Sequence, residues 1–367
     1  PASLLFSHPT IERLTAWLER RTAAPASVAT SGARSQPVAV IGIGCRFPGG
    51  IDGPDRFAEA VYAGQDLVRE VPAERWSNGR WYDPDPARPG KIASRWLGTV
   101  EGVDRFDAAF FGIGPREAAQ MDPQQRLLLE TSWEALEDAG IAADRLAGSR
   151  TGIFVGATGS DYASLCRAAG RQALDAQALT GQPSNTLAGR LAYVLGSTGP
   201  AMVVDTACSS SLVSLHHAVR ALRDHECDVA LAGGVNVLAS PFASLMFSEL
   251  GVISPTGTIR AFSDDADGIV RAEAAGMVVL KRVSDAMADG DEILAVIKGS
   301  ATNSDGHSNG LTAPNPQAQA DVLERAYADA GIDPAEVDLV EAHGTGTILG
   351  DPIEATALGT VLGRNRT

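Results

Sequence analysis

Cys208 and His343 are the two residues of this chain whose surroundings suit chemistry. The apolar run Ala201-Met202-Val203-Val204 leads through Asp205-Thr206-Ala207 to Cys208. Ser209-Ser210-Ser211 follow, and then Leu212, Leu215, Val219 and Leu222 recur at helical spacing. A strand therefore runs into a helix with a thiol at the junction, and three small hydroxyl residues stand where side-chain oxygens cap a helix start. The amides and partial positive charge of a helix N-terminus stabilise a thiolate and lower its pKa, which makes such a cysteine nucleophilic near neutral pH. The junction alone leaves two readings open, an activated thiol and a buried cysteine in a strand-to-helix turn. His343 closes the run Val337-Asp338-Leu339-Val340-Glu341-Ala342 and opens Gly344-Thr345-Gly346-Thr347. This glycine-interleaved turn exposes side chains and amides at a strand end, where α/β proteins place their sites. A loop histidine taken by itself is more often inert.

The elements that must position these residues follow from hydrophobic period. Asp228 to Val235 supplies the strand after the Cys208 helix and completes a strand-elbow-helix-strand unit. Gly152 to Gly156 and Val38 to Gly42 read as buried strands, while Pro115 to Gly140 and Asn185 to Leu195 read as helical. The pattern restarts with a strand at Glu292 to Gly299, a helix at Gln317 to Ala330 and a strand at Val337 to Glu341. Gly42-Ile43-Gly44 opens like a dinucleotide fingerprint, but it lacks the third glycine, and Pro48-Gly49-Gly50 removes the helix that would hold a pyrophosphate. Nucleotide binding is rejected there, and Cys45 reads as a core or loop thiol. The stretch carrying Trp76, Trp81, Tyr82 and Trp96 reads as irregular structure anchored by rings. His216 and His217 lie on the Cys208 helix with one facing the packing layers, and both read as structural.

Composition bounds the function. With 30 Lys+Arg against 45 Asp+Glu, the net charge of −15 opposes a phosphate backbone, so nucleic acid is not an expected partner. No apolar run of roughly 18 residues occurs, which excludes a membrane-spanning helix and fits a cytoplasmic enzyme. The four cysteines show no metal-ligand spacing, and no metal site is expected.

The segment Asp205-Thr206-Ala207-Cys208-Ser209-Ser210-Ser211 resembles the active-site signature of β-ketoacyl synthases, in particular the ketosynthase domains of modular type I polyketide synthases. The resemblance runs from about Pro37 to the last residues, through Met121-Asp122-Pro123-Gln124-Gln125-Arg126, Asn303-Ser304-Asp305-Gly306, Leu311-Thr312-Ala313-Pro314-Asn315 and Glu341-Ala342-His343-Gly344-Thr345-Gly346-Thr347. It implies an α/β, thiolase-like, five-layered αβαβα fold, built from a first half over about 37–288 and a partial second half over about 289–367. It also implies roles. Cys208 would carry the acyl chain as a thioester, and its amide would contribute to the oxyanion hole. His343 would promote decarboxylation of a malonyl-type extender by hydrogen bonding to the enolate. Thr345 and Thr347 would bind the phosphopantetheine arm, and Asp351 and Glu354 would order the site while charging the first turn of a following helix.

No cofactor is expected on the chain itself, since phosphopantetheine arrives on acyl carrier protein domains, the implied partners, and the implied assembly is a homodimer. Pro1 to Thr10 with Ile11, Leu14 and Leu18 resembles the end of an acyl carrier protein, giving a carrier helix over 1–21 and a linker over 22–36. Two departures stand out. Ile269, Ala272 and Ala274 occupy places where the family has an aromatic residue and two glycines, and alanine would be strained there if those positions need positive φ. The family's later Lys-Ser-x-x-Gly-His motif and glycine-rich loop do not occur, so the second half is expected to be incomplete, with low thermal cooperativity and no condensation by residues 1–367. The rival readings are a non-elongating ketosynthase, a non-catalytic interaction module and a thiolase using free coenzyme A.

Overall fold

A computed structural model describes residues 36–170, 172 and 175–364. The carrier helix expected over 1–21 and all of the expected linker except Gln36 lie outside the described residues. The described part has at its centre one six-stranded mixed sheet in the order β5-β4-β6-β7-β1-β8. Its strands are β1 (Val38–Arg46), β4 (Thr151–Ala157), β5 (Ala201–Val204), β6 (Val229–Asn236), β7 (Ala274–Arg282) and β8 (Ala295–Ile297). A separate pair, β2 (Arg69–Glu70) and β3 (Trp96–Leu97), ties down the tryptophan-bearing stretch. There Trp76 and Leu97 are buried with Val71 and Leu238, as ring anchoring predicts.

The parallel ladder β5-β4-β6 is the part that matters for Cys208. Ile153 pairs with Ala201 on one side and Leu231 on the other, so the strand that ends before Cys208 lies in register with two neighbours. Side chains alternate between the faces with period two. Ile153, Val155 and Leu231 enter one core with helices α1 (Pro123–Asp138) and α2 (Thr186–Leu195). Phe154, Ala230 and Ala232 enter the other core with Ala218, Val219 and Leu222 of α3 (Ser210–Arg223), the helix that follows Cys208. Three layers result, helix on sheet on helix.

The two strands expected in the second half differ from what forms. The strand expected over Glu292 to Gly299 shortens to β8, which pairs antiparallel with β1 at the edge of the first half's own sheet. Val337 to Glu341 forms no strand. A strand's N–H and C=O groups need a neighbour, and Val337 to Glu341 has none among the described residues, so the second half builds no sheet of its own there. What does form is a pair of helices, α4 (Pro316–Ala330) and α5 (Gly350–Leu362), packed through Ala320, Leu323 and Tyr327 against Ala357 and Val361. Leu311, Leu339 and Ile348 remain exposed around it. Among the described residues no helix is long and apolar enough to cross a membrane.

Candidate active site

Cys208 sits in a single 3-10 turn, Ala207–Ser209, between the end of β5 and the start of α3. Its residue is exposed. The turn is held from beneath. Asp205 Oδ1 accepts from the Ala207 N–H at 3.1 Å and from the Thr158 hydroxyl at 3.2 Å, while Ser210 Oγ accepts from the Thr206 N–H at 2.9 Å and donates to the Ala207 carbonyl at 2.6 Å. These bonds hold Ala207 at φ 56, a left-handed conformation that costs a residue with a Cβ about 1 kcal/mol or more. The serines therefore do not cap α3 as their spacing suggests. Ser209 is the N-cap residue, yet its hydroxyl turns back to the Thr206 carbonyl at 3.0 Å, because the intervening turn puts the helix amides out of reach.

Gly156 on β4 makes room for the elbow. A Cβ there would lie 2.4 Å from Ser210 C and Ser211 N, so only glycine lets the first residues of α3 reach the sheet. The other thiols sit differently. Burial pushes Cys45 and Cys227 up to about 11, which keeps them as thiols, and Cys166 is half-buried.

His343 is exposed on the segment leading to α5, and two carboxylates from the first turns of that helix hold the segment. Glu354 accepts from the His343 N–H at 2.6 Å and from the Gly344 N–H at 2.8 Å. Asp351, buried at 4% exposure, accepts from the Gly346 N–H at 3.0 Å and from the Phe262 N–H at 2.6 Å. Gly346 lies at φ 67, which turns its N–H inward to Asp351, and its carbonyl accepts from the Gly268 N–H at 2.8 Å. The hydroxyls of Thr345 and Thr347 pair at 2.9 Å, and Thr347 Oγ1 also accepts from the Gly350 N–H. Of the two threonine hydroxyl hydrogens, that pairing engages one.

The structure therefore gathers His343, Thr345, Thr347, Asp351 and Glu354 into one loop and helix start. Cys208 belongs to a different element, and no hydrogen bond among the described residues joins its thiol to the His343 ring. Sequence reasoning missed Asp205, Thr158 and Phe262. An Asp two residues before Ala207 is an Asx-turn signal that could have found Asp205. Phe262, itself at φ 60, lies 89 residues before the carboxylate that binds its amide, and no local signal marks it.

The expected strain at the two alanines is not found. Among the described residues the non-glycine positions with positive φ are Ala207, His225 and Phe262, so neither Ala272 nor Ala274 needs glycine. Ala274 begins β7 opposite Asn236, and Ala272 bridges to Gly98 in extended backbone. Neighbouring Glu273 is fully buried, pairs with Arg75 at 2.9 Å and accepts from the Val100 and Leu238 amides.

Comparison with known proteins matches residues 35–286 to the family described as "Beta-ketoacyl synthase, N-terminal domain" and residues 294–367 to its C-terminal domain. The chain is 52% identical over 328 residues to one component of the phenolphthiocerol/phthiocerol polyketide synthase of Mycobacterium tuberculosis, covering 89% of this chain and 18% of that protein. It is 51% identical over 366 residues to another component of the same synthase, covering 98% of this chain and 20% of that protein. The chain thus spans about a fifth of the length of these relatives. Among solved structures, an oxazolomycin ketosynthase domain from Streptomyces albus superposes with a TM-score of 0.85 at 41% identity, covering 90% of this chain and 57% of that one. The ketosynthase from module 6 of the bacillaene synthase of Bacillus subtilis superposes with 0.82 at 37% identity, covering 90% and 55%.

Proposed function

Because the chain belongs to the β-ketoacyl synthase family, we propose that it extends a polyketide by decarboxylative Claisen condensation, with Cys208 as nucleophile. The observation that carries this reading is the exposed thiol on a backbone turn held in a left-handed conformation at the start of a helix. Cys208 Sγ attacks the thioester carbonyl of an acyl group brought on the phosphopantetheine arm of an acyl carrier protein. The carrier thiolate leaves and takes a proton, and the acyl group stays on Cys208. The Cys208 N–H faces the charge that develops on the carbonyl oxygen. A malonyl-type thioester on a carrier then loses carbon dioxide. The electron pair of the broken carbon–carbon bond forms an enolate, which accepts a hydrogen bond from His343. The enolate carbon attacks the Cys208 thioester, a carbon–carbon bond forms, and the Cys208 thiolate is released. Thr345 and Thr347 direct the pantetheine amides toward these two groups, and Asp351 and Glu354 hold the loop in place by binding four of its own or neighbouring amides.

Residues 1–21 and 22–36 fit this reading as the end of a carrier domain and a linker. The work is placed in the cytoplasm and in a homodimer, for which the open edge of β5, with Ala201 and Met202 exposed, offers a pairing strand. The test is intact-protein mass spectrometry after incubation with an acyl-N-acetylcysteamine thioester. One acyl adduct is expected, absent in Cys208→Ala and retained in His343→Ala, because histidine serves only the extender step. An adduct that survives Cys208→Ala refutes the assignment.

A further inference from the structure

We propose that Asp329 is a positioning residue that fixes the His343 loop relative to the Cys208 helix, an inference that rests on the reading of Cys208 and His343 given above. Asp329 lies in the last turn of α4, outside the motifs that carry both groups. Its Oδ2 accepts from Arg223 Nη1 at 2.8 Å and from the Ser300 N–H at 3.0 Å. Arg223 belongs to the last turn of α3, is 6% exposed, and directs its remaining donors to the carbonyls of Lys298 and Gln36. About two turns earlier on α3, His216 Nδ1 meets Ser300 Oγ at 2.8 Å. The helix that begins just after Cys208 is thus clamped to the segment after β8 and to the end of α4.

The start of α5 is tethered separately. Asp351 and Gly346, at the start of α5, bind Phe262 and Gly268 of the first half. Between the tethers, α4 and α5 share a small core of their own that joins neither core of the main sheet. A body held at one point swings about it. Held through two different helices that pack on each other, it does not. Asp329 supplies the second point. The His343 loop is held by Glu354 and Asp351 of α5, so the orientation of α5 sets where the imidazole stands.

Amide hydrogen exchange on the chain tests this, read at His343 and Gly344, whose N–H groups bind Glu354. In Asp329→Ala their exchange is expected to rise tenfold or more while the amides of Ala230 to Ala232 in β6 stay unchanged. Asp329→Asn, which keeps an acceptor oxygen for Arg223 and Ser300, is expected to return it to within about threefold of the parent. A folded Asp329→Ala protein with unchanged exchange at His343 and Gly344 overturns the proposal. Removing the carboxylate strands Arg223 as a buried cation, so the double variant Arg223→Gln/Asp329→Ala, which removes the cation together with its partner, decides the matter if Asp329→Ala does not fold. The same rise is expected there, and no rise overturns the proposal. Acyl loading of Cys208 is measured alongside and should stay within twofold in every variant. If the parent protein does not load, the functional reading fails, whereas the exchange result still decides the role of Asp329.

Discussion

Cys208 shares its chain with three thiols that differ from it in access and in solvation. Cys45 lies inside β1 and Cys227 beside the start of β6, both buried, and the desolvation that raises them to about 11 leaves on the order of one molecule in a thousand as thiolate at pH 8. Iodoacetamide at pH 8 should therefore label Cys208 first, Cys166 more slowly, and Cys45 and Cys227 only after unfolding. Peptide mapping against time checks the order, and native-state labelling of Cys227 at the rate of Cys208 would contradict it. The motif that identifies Cys208 was legible in the linear sequence, but the way its turn is made was not. Spacing suggested serine caps, and the hydroxyls instead bind backward into the turn, because Ala207 at φ 56 interposes a 3-10 turn before the helix begins.

At the scale of elements, the Cys208 helix depends on the absence of one methyl group. In Gly156→Ala the added Cβ meets backbone atoms of Ser210 and Ser211 at 2.4 Å, and backbone cannot rotate away as a side chain can. The cost is expected at about 3 kcal/mol, the upper part of the range for overpacking, with acyl loading of Cys208 falling at least tenfold in whatever folds. Thermal melting and the mass-spectrometric loading assay read the two effects, and a variant that melts and loads like the parent would show that α3 does not rest on β4 as described. Periodicity located most elements. Gly152 to Gly156, Asn185 to Leu195, Asp228 to Val235 and Gln317 to Ala330 each lie within one or two residues of the observed bounds. Val337 to Glu341 has equally good strand composition and forms none, since a strand is completed by pairing with another segment, and no segment among the described residues pairs with it.

Over the whole molecule, acid should loosen the joint between the two halves. Burial, with His217, Arg220 and Arg223 adding repulsion and Asp329 opposing them, lowers the pKa of His216 in the folded state. The unfolded chain then binds a proton at this site at higher pH than the folded chain does. Stability is full above the ordinary histidine value of about 6.5 and declines as pH falls below it. Asp329 behaves differently. Burial alone would raise its pKa, but the hydrogen bonds from Arg223 and the Ser300 amide outweigh that and hold it low, so its contribution is lost only in the lower window below about pH 4. The melting temperature is expected to fall between about pH 7 and pH 5, with a shallower fall in His216→Asn, measured by scanning fluorimetry. An identical slope in parent and variant would remove His216 from the account. The α/β class, the Cys208 and His343 motifs and most element positions are legible along the chain, because periodicity, turn chemistry and motif spacing act over a few residues. The relaxed backbone at Ala272 and Ala274, the bond from Asp351 to the Phe262 amide and the closure of Asp329 on Arg223 emerge on folding. Each depends on where segments separated by tens of residues come to lie, and a hydrogen bond of about 3 Å leaves no trace in spacing along the chain.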